Sequence, residues 1–176
     1  MSGSVNVKWG SGLVELTWIP SQEMPPSRPV TSVHGCCFYE GKVLLVNIKG
    51  RGFNFPGGHV KVGEPPEEAF HREVMEEAFV KGKAVNIGMM EVSHRNNPDF
   101  DPKGKYPLIG YQVFYRMDIE EVLPFVKNDE SSSRIWVEPS EAPFVINDHE
   151  LTLDILIEAV KSGPKHHNLI QAARRK

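Results

Sequence analysis

Residues 57–80 read GGHVKVGEPPEEAFHREVMEEAFV, and the fold is decided there. On a helix turning roughly 100° per residue, Glu73, Glu76 and Glu77 stand at i, i+3 and i+4 and share one face. Like charges so spaced repel by roughly a few tenths of a kcal/mol per pair, so a solvated face gains nothing from them. A divalent cation reverses the sign, because hard ions such as Mg²⁺ take carboxylate oxygens together with waters and substrate phosphates. The stretch predicts a magnesium platform for a phosphorylated substrate.

The flanking residues agree. A short apolar run, Phe53 to Phe55, leads into Pro56-Gly57-Gly58, where glycine permits a backbone that exposes a carbonyl to a metal. Val62-Gly63-Glu64 predicts a turn, and Pro65 or Pro66 suits the first helical position, where a missing N–H is harmless. Glu67 and Glu68 fall in the first turn, where the helix dipole favours anions. Phe70, Val74 and Ala78 make an apolar stripe to pack on a sheet. The expected order is strand, glycine loop, helix.

This segment resembles the signature of the Nudix hydrolase family, MutT-like members included. Gly58, Glu64, Arg72, Glu73, Val74, Glu76, Glu77 and Val80 match the spacing of its box. Phe79 departs from it, since the family usually has glycine there. Phenylalanine does not enter a left-handed cap cheaply, so the helix is expected to run on or leave differently, with Gly82 as substitute cap. The resemblance implies an α/β fold with a mixed sheet, the Nudix-type α/β/α sandwich. It implies a Mg²⁺-dependent hydrolase (Mn²⁺ able to substitute) that cleaves a nucleoside diphosphate linked to another moiety. Metal ligands would be Glu73, Glu76 and Glu77, with a carbonyl of Gly57 or Gly58, and Glu64 as a structural residue or a more distant ligand. Arg72 would hold a box glutamate in place, and Glu73 and Glu77 are the general-base candidates. Some family members take the base from a loop outside the box.

Composition sets the class. The chain has 176 residues, 40% apolar and 24% charged, with a net charge of −3. That suits one soluble domain and argues against a dedicated nucleic-acid binder. The apolar runs are too short to span a membrane, and no signal peptide is visible. Cys36 and Cys37 are adjacent, a poor geometry for a bridge. They predict a reduced, cytoplasmic protein, as buried strand residues or a reactive vicinal pair.

Residues 1–30 predict an appendage, with a strand from Leu13 to Ile19 and a proline-rich linker from Pro20 to Pro29. A domain over 31–162 follows, then a basic tail, 163–176, ending Arg174-Arg175-Lys176. Within the domain, Val30 to Tyr39 and Lys42 to Ile48 predict a hairpin about Glu40-Gly41. Ala84 to Ser93, Leu108 to Met117 and Ile135 to Val137 predict further strands. Asp148 to Lys161 predicts a second helix with an apolar set of Leu151, Leu153, Ile155, Leu156 and Val160.

Substrate contacts are expected from Arg51 and His59 beside the box, from Phe100 or Tyr106 in the long polar loop 96–107, and from Trp136 as one wall of a base pocket. Each also has an ordinary reading as a turn residue, surface residue or packing aromatic. Asp129 or Glu130, in a second polar loop, is a remote candidate for an extra catalytic carboxylate. The region Ser93 to Asn97 lacks the tyrosine or proline of many ADP-ribose and dinucleoside polyphosphate members, and no NADH-type signature is present. The expected substrate is therefore a small-molecule nucleotide: a (deoxy)nucleoside triphosphate, with oxidised, 8-oxo-dGTP-like purines among the candidates, giving monophosphate and pyrophosphate. The alternatives are ADP-ribose or another sugar nucleotide, an RNA end, or a non-catalytic nucleotide-binding regulatory module. A homodimer through strand addition by residues 1–30 is a further expectation.

Overall fold

The computed structural model describes residues 3–25 and 29–164; the tail expected to be basic falls outside them from residue 165 onward. In chain order the elements are β1 (Gly3–Trp9), β2 (Gly12–Pro20), β3 (Val30–Tyr39), β4 (Lys42–Ile48), β5 (Gly52–Asn54), β6 (Gly57–His59), α1 (Pro66–Ala78), β7 (Val80–Ser93), β8 (Ile109–Val122), β9 (Ser131–Val137), α2 (Ala142–Val145) and α3 (Leu151–Lys161). One mixed sheet runs β1-β2-β7-β8-β3-β4-β5, with β6 added beside β3 and β9 beside β4. β3 and β8 run parallel, and the other pairings are antiparallel. No helix among the described residues is long and apolar enough to cross a membrane.

Alternation along β3 explains the layering. Val33 and Cys37 face one core with Phe70, Val74 and Ala78 of α1, while Cys36 and Phe38 face another with Leu151, Ile155 and Leu156 of α3. A helix on each face makes an α/β/α sandwich. Both cysteines are buried and free, and burial pushes both thiols up, so the buried-strand reading holds and neither is a poised nucleophile. Gly35 sets how close α1 comes: a Cβ there would lie 2.4 Å from the Phe70 ring. Phe70 instead lies flat across β3 and stacks on Tyr115, with ring centroids 4.8 Å apart.

Four expectations need correction. Strands β1 and β2, expected in an appendage, do not hang off the domain. β2 pairs with β7 from Glu15 to Pro20, and Val14, Leu16 and Trp18 are core residues. Trp18 covers Gly88, where a Cβ would meet its ring at 2.4 Å, and meets Phe114 edge-on at 5.5 Å. Strand alternation was visible in 13–19, but its β7 partner, from Gly88 to Ser93, lies far along the chain.

The glycines before the helix are not a loop. Gly57, Gly58 and His59 pair with His34, Val33 and Ser32 as β6.

Helix α1 ends at Ala78, and Phe79 itself takes the left-handed cap, φ 57° and ψ 45°. Such a conformation costs a non-glycine residue about 1–2 kcal/mol. Several contacts offset it. Arg134 donates from Nη1 to the carbonyls of Ala78 (2.7 Å) and Phe79 (3.3 Å) and from Nη2 to that of Leu123 (2.8 Å). The Leu123 N–H donates to the Phe79 carbonyl at 2.9 Å, and the Phe79 ring meets Phe125 edge-on at 5.5 Å. Gly82 lies in β7, where a Cβ would strike the Asp118 carbonyl.

On α3 the buried residues are Leu151, Thr152, Ile155, Leu156 and Ala159. Leu153 and Val160, at 48% and 50% exposure, stand on the outer side.

Candidate active site

Three segments converge beside β6. Helix α1 brings Glu73, Glu76 and Glu77, the connection between β8 and β9 brings Glu130, and β6 supplies the close backbone. Oxygens of Glu73, Glu76 and Glu130 lie within 4.8 Å of one another, a donor set able to hold a metal ion. Hard carboxylate oxygens at this spacing suit Mg²⁺ or Mn²⁺ rather than a thiophilic ion.

Close packing calls for glycine at position 57, where a Cβ would meet backbone, while at position 58 a Cβ would displace the Glu73 carboxylate. A Cβ on Gly58 would fall 2.4 Å from the Glu73 carboxylate, and one on Gly57 would fall 2.2 Å from the Val33 carbonyl. Neither glycine has a positive φ, so proximity rather than an unusual backbone angle explains them. The Gly57 N–H donates to Glu77 Oε2 at 3.0 Å.

Arg72 ties the acids together. Its Nε and Nη2 donate to both oxygens of Glu64 (2.7 and 3.0 Å), its Nη1 to Glu73 (2.7 Å) and Glu76 (3.1 Å), and Nη2 also to the His59 carbonyl (3.0 Å). The positioning role inferred for Arg72 thus has a full set of contacts. The bidentate pairing and the Lys61 N–H hold Glu64 down to about 2. Glu64 is thus paired with Arg72, and its oxygens are outside the metal-capable group.

The helical acids differ in environment. Glu73 is 8% exposed and Glu77 5%. Burial raises both, Glu77 to about 7 despite its bond from Gly57. Buried carboxylates with depressed acidity and too few cations around them are what a metal would relieve. Glu77 accepts from the β6 backbone and is outside the metal-capable group, yet lies near enough to Glu73 and Glu130 for both charges to raise it.

Glu130 arrives on a built turn. Asn128 Oδ1 accepts from the N–H groups of Glu130 (2.9 Å) and Ser131 (2.8 Å), and Asn128 Nδ2 donates to the Glu76 carbonyl (3.0 Å). Ser131 Oγ donates to the Glu77 carbonyl at 2.8 Å. The last carbonyls of α1 thus seat the loop. The Asn-x-x-Ser spacing is an Asx-turn signal, but its docking onto the box helix is not readable locally.

The expected substrate contacts separate. His59 Nε2 lies 3.2 Å from the Tyr106 hydroxyl, so the long loop folds back to β6. Phe100 instead stacks on His94, centroids 5.4 Å apart, as an anchor of its own loop. Trp136 lies 5.7 Å from Tyr39 and lines a separate cleft of about 310 Å³ with Lys42 and Val122. It stands six positions beyond Glu130, roughly 20 Å along extended chain, and the cleft it lines includes none of the box residues. Arg51 is exposed and borders a cleft of about 460 Å³ that also includes Glu130. On the α3 side, His34 stacks on Phe114 (5.4 Å) and Asn54 donates to Asp148 (2.9 Å), a polar cluster that sequence reading missed.

Comparison with known proteins places this geometry. An ADP-ribose pyrophosphatase of Methanocaldococcus jannaschii is 34% identical over 81 residues, 44% of this chain and 46% of that protein. Bacillus subtilis YtkD, provisionally named an 8-oxo-dGTP diphosphatase, is 38% identical over 71 residues, 40% of this chain and 45% of that protein. The chain spans about half the length of these two relatives. Among solved structures, a Bacillus subtilis pyrophosphohydrolase superposes with a TM-score of 0.63 at 22% identity, covering 89% of this chain and 96% of that one. The NUDIX domain of Shewanella oneidensis NrtR, in complex with ADP ribose, gives 0.57 at 16% identity, covering 78% and 92%. These likenesses concern the fold. The NUDIX domain family itself matches residues 28–157. With the box glutamates gathered on α1 and the match running through most of the sheet, the chain belongs to the NUDIX family.

Proposed function

We propose that this chain is a Mg²⁺-dependent hydrolase of the diphosphate bond in a nucleoside diphosphate linked to another moiety, and that its substrate is a (deoxy)nucleoside triphosphate. The observation that carries the reading is the gathering of Glu73, Glu76 and Glu130 oxygens within 4.8 Å beside the Arg72-bound box. Glu73, Glu76 and Glu130 would hold the cation, with Glu77 behind them. When bound, the cation neutralises phosphoryl oxygens and acidifies water.

The protein's own residues do the rest. Arg72 fixes Glu73 and Glu76, so their unpaired oxygens keep one orientation. As the water oxygen bonds to phosphorus, the bridging P–O bond breaks and the departing phosphate side leaves with its electron pair. The water proton passes to a carboxylate. Among the described residues the Glu130 side chain makes no hydrogen bond or ion pair, which leaves it free to accept that proton, alongside Glu73 and Glu77.

The names of the two relatives point to the two leading substrate classes, an oxidised deoxynucleoside triphosphate and ADP-ribose. The deciding experiment is phosphate and pyrophosphate release with Mg²⁺ over normal and oxidised nucleoside triphosphates, ADP-ribose, dinucleoside polyphosphates and capped RNA. Turnover that favours a triphosphate and disappears with EDTA supports the reading. Preference for ADP-ribose replaces the substrate but keeps the chemistry. Tight binding with no turnover of any of them overturns the hydrolase in favour of a nucleotide-binding regulator.

A further inference from the structure

The cleft of about 460 Å³ beside Glu130 has two walls. One is the turn from β4 to β5, with Lys49 and Arg51; the other is the β8–β9 connection, with Lys127 and Asn128. A bond from the Lys49 N–H to the Glu130 carbonyl, 3.0 Å, ties them together. Its volume is within the range of small-ligand sites, roughly 300–1,000 Å³.

Its charge is unusual. Lys49, Arg51 and Lys127 are all exposed and line one space with Asp129 and Glu130. Even so, none of the three cations forms an ion pair among the described residues. The cleft therefore presents unpaired positive charge along a border that begins at a carboxylate of the metal-capable group. Three cations against the two carboxylates give the lining a net positive charge, and such a lining draws an anionic ligand.

We propose that this cleft seats the terminal phosphate of a polyphosphate chain, and that Lys49 and Lys127 select a nucleoside triphosphate over a nucleoside diphosphate linked to a sugar. The inference rests on the reading that a diphosphate lies at Glu73, Glu76 and Glu130. A third phosphate continuing past Glu130 brings further negative charge between the lysines, whereas a ribose there brings none. Lys127 carries no motif that would mark it in the sequence; it acts because the Asn128 turn faces the β4–β5 turn.

The test uses the full chain with Mg²⁺ and the variants Lys49→Gln, Lys127→Gln and the double substitution. Arg51 is left intact because its charge also reaches Glu77 and His34. The reading is the ratio of kcat/KM for a deoxynucleoside triphosphate to that for ADP-ribose. The double variant is expected to lower this ratio about tenfold, mostly through KM for the triphosphate, with each single variant in between. A ratio unmoved to within about twofold, or a wild type that turns over ADP-ribose alone, overturns the cleft assignment while the diphosphate chemistry stands. If the wild type turns over neither, the underlying reading fails. Calorimetric binding of inorganic tripolyphosphate then decides the cleft: weaker binding by the double variant supports it, and equal binding ends it.

Discussion

The side-chain amide of Asn128 donates to the main-chain carbonyl of Glu76 at 3.0 Å, so the loop bearing Glu130 is fastened to the helix bearing Glu73 and Glu76. A separate segment thereby acquires the precision of one rigid element. Removing the amide in Asn128→Ala deletes four hydrogen bonds, three of them worth about 1 kcal/mol net each and the fourth, from Ser131 Oγ at 3.4 Å, longer and weaker. The expected result is a loss of Mn²⁺ affinity of roughly tenfold by titration, with far-UV circular dichroism unaltered. Undiminished affinity would mean that Glu130 finds its place without the latch.

Glu76 is a half-exposed member of the group, at 49% side-chain exposure, and its side chain pairs with Arg72 alone among the described residues. Glu76→Gln is expected to change stability by less than about 0.5 kcal/mol while reducing turnover by orders of magnitude. Thermal melts with and without Mg²⁺ supply the check, because a lost ligand also shrinks the stabilisation the cation confers. Mg²⁺-dependent turnover at the wild-type rate would remove Glu76 from the mechanism.

Glu77 makes a prediction of opposite sign for stability and activity. Burial raises its pKa from 4.5 to about 7, so the native state keeps a proton that the unfolded chain releases. In cation-free buffer this contribution is fully present below pH 4.5 and is lost as pH rises through about 7. A glutamine has no proton to lose and still accepts from the Gly57 N–H. At pH 8, then, Glu77→Gln without metal is expected to be more stable than wild type by on the order of 1–3 kcal/mol, and slower in turnover with it. Urea melts at pH 5 and pH 8 give the comparison; a variant less stable at pH 8 contradicts the assignment.

Arg134 caps a helix that lacks the usual glycine. Its guanidinium serves the carbonyls of Ala78, Phe79 and Leu123. Arg134→Ala should destabilise by about 2–3 kcal/mol, and Lys, with one point charge in place of a fork, should recover only part of it. Equal melting of wild type and the alanine variant would show that the left-handed Phe79 stands without help.

What could be read in the chain was what repeats at short range. Helix α1 begins where Pro66 and the acidic first turn place it, and its apolar stripe packs as spaced. The failures are all long-range. Nothing near Phe79 announces that Arg134 will hold it, and nothing near residues 13–19 reveals that Gly88 leaves room for Trp18. Val160 and Leu153 have the right chemistry for a core, but the sheet takes the arc centred on Ile155. Glu130 was visible only as one acid in a polar loop. Its value comes from Asn128 and Ser131 meeting carbonyls that α1 leaves open at its end.

The pairing of β2 with β7 bears on where this molecule can be cut. A fragment trimmed to the residues shared with the family, 28–157, would lack β1, β2 and the last turn of α3. It would leave residues 88–93 of β7, the part that β2 pairs, as an uncovered border, their ladder groups bare and Phe114 stripped of Trp18. Such borders recruit other chains and aggregate. The stretch that relatives hold in common is thus shorter than the stretch that must fold together.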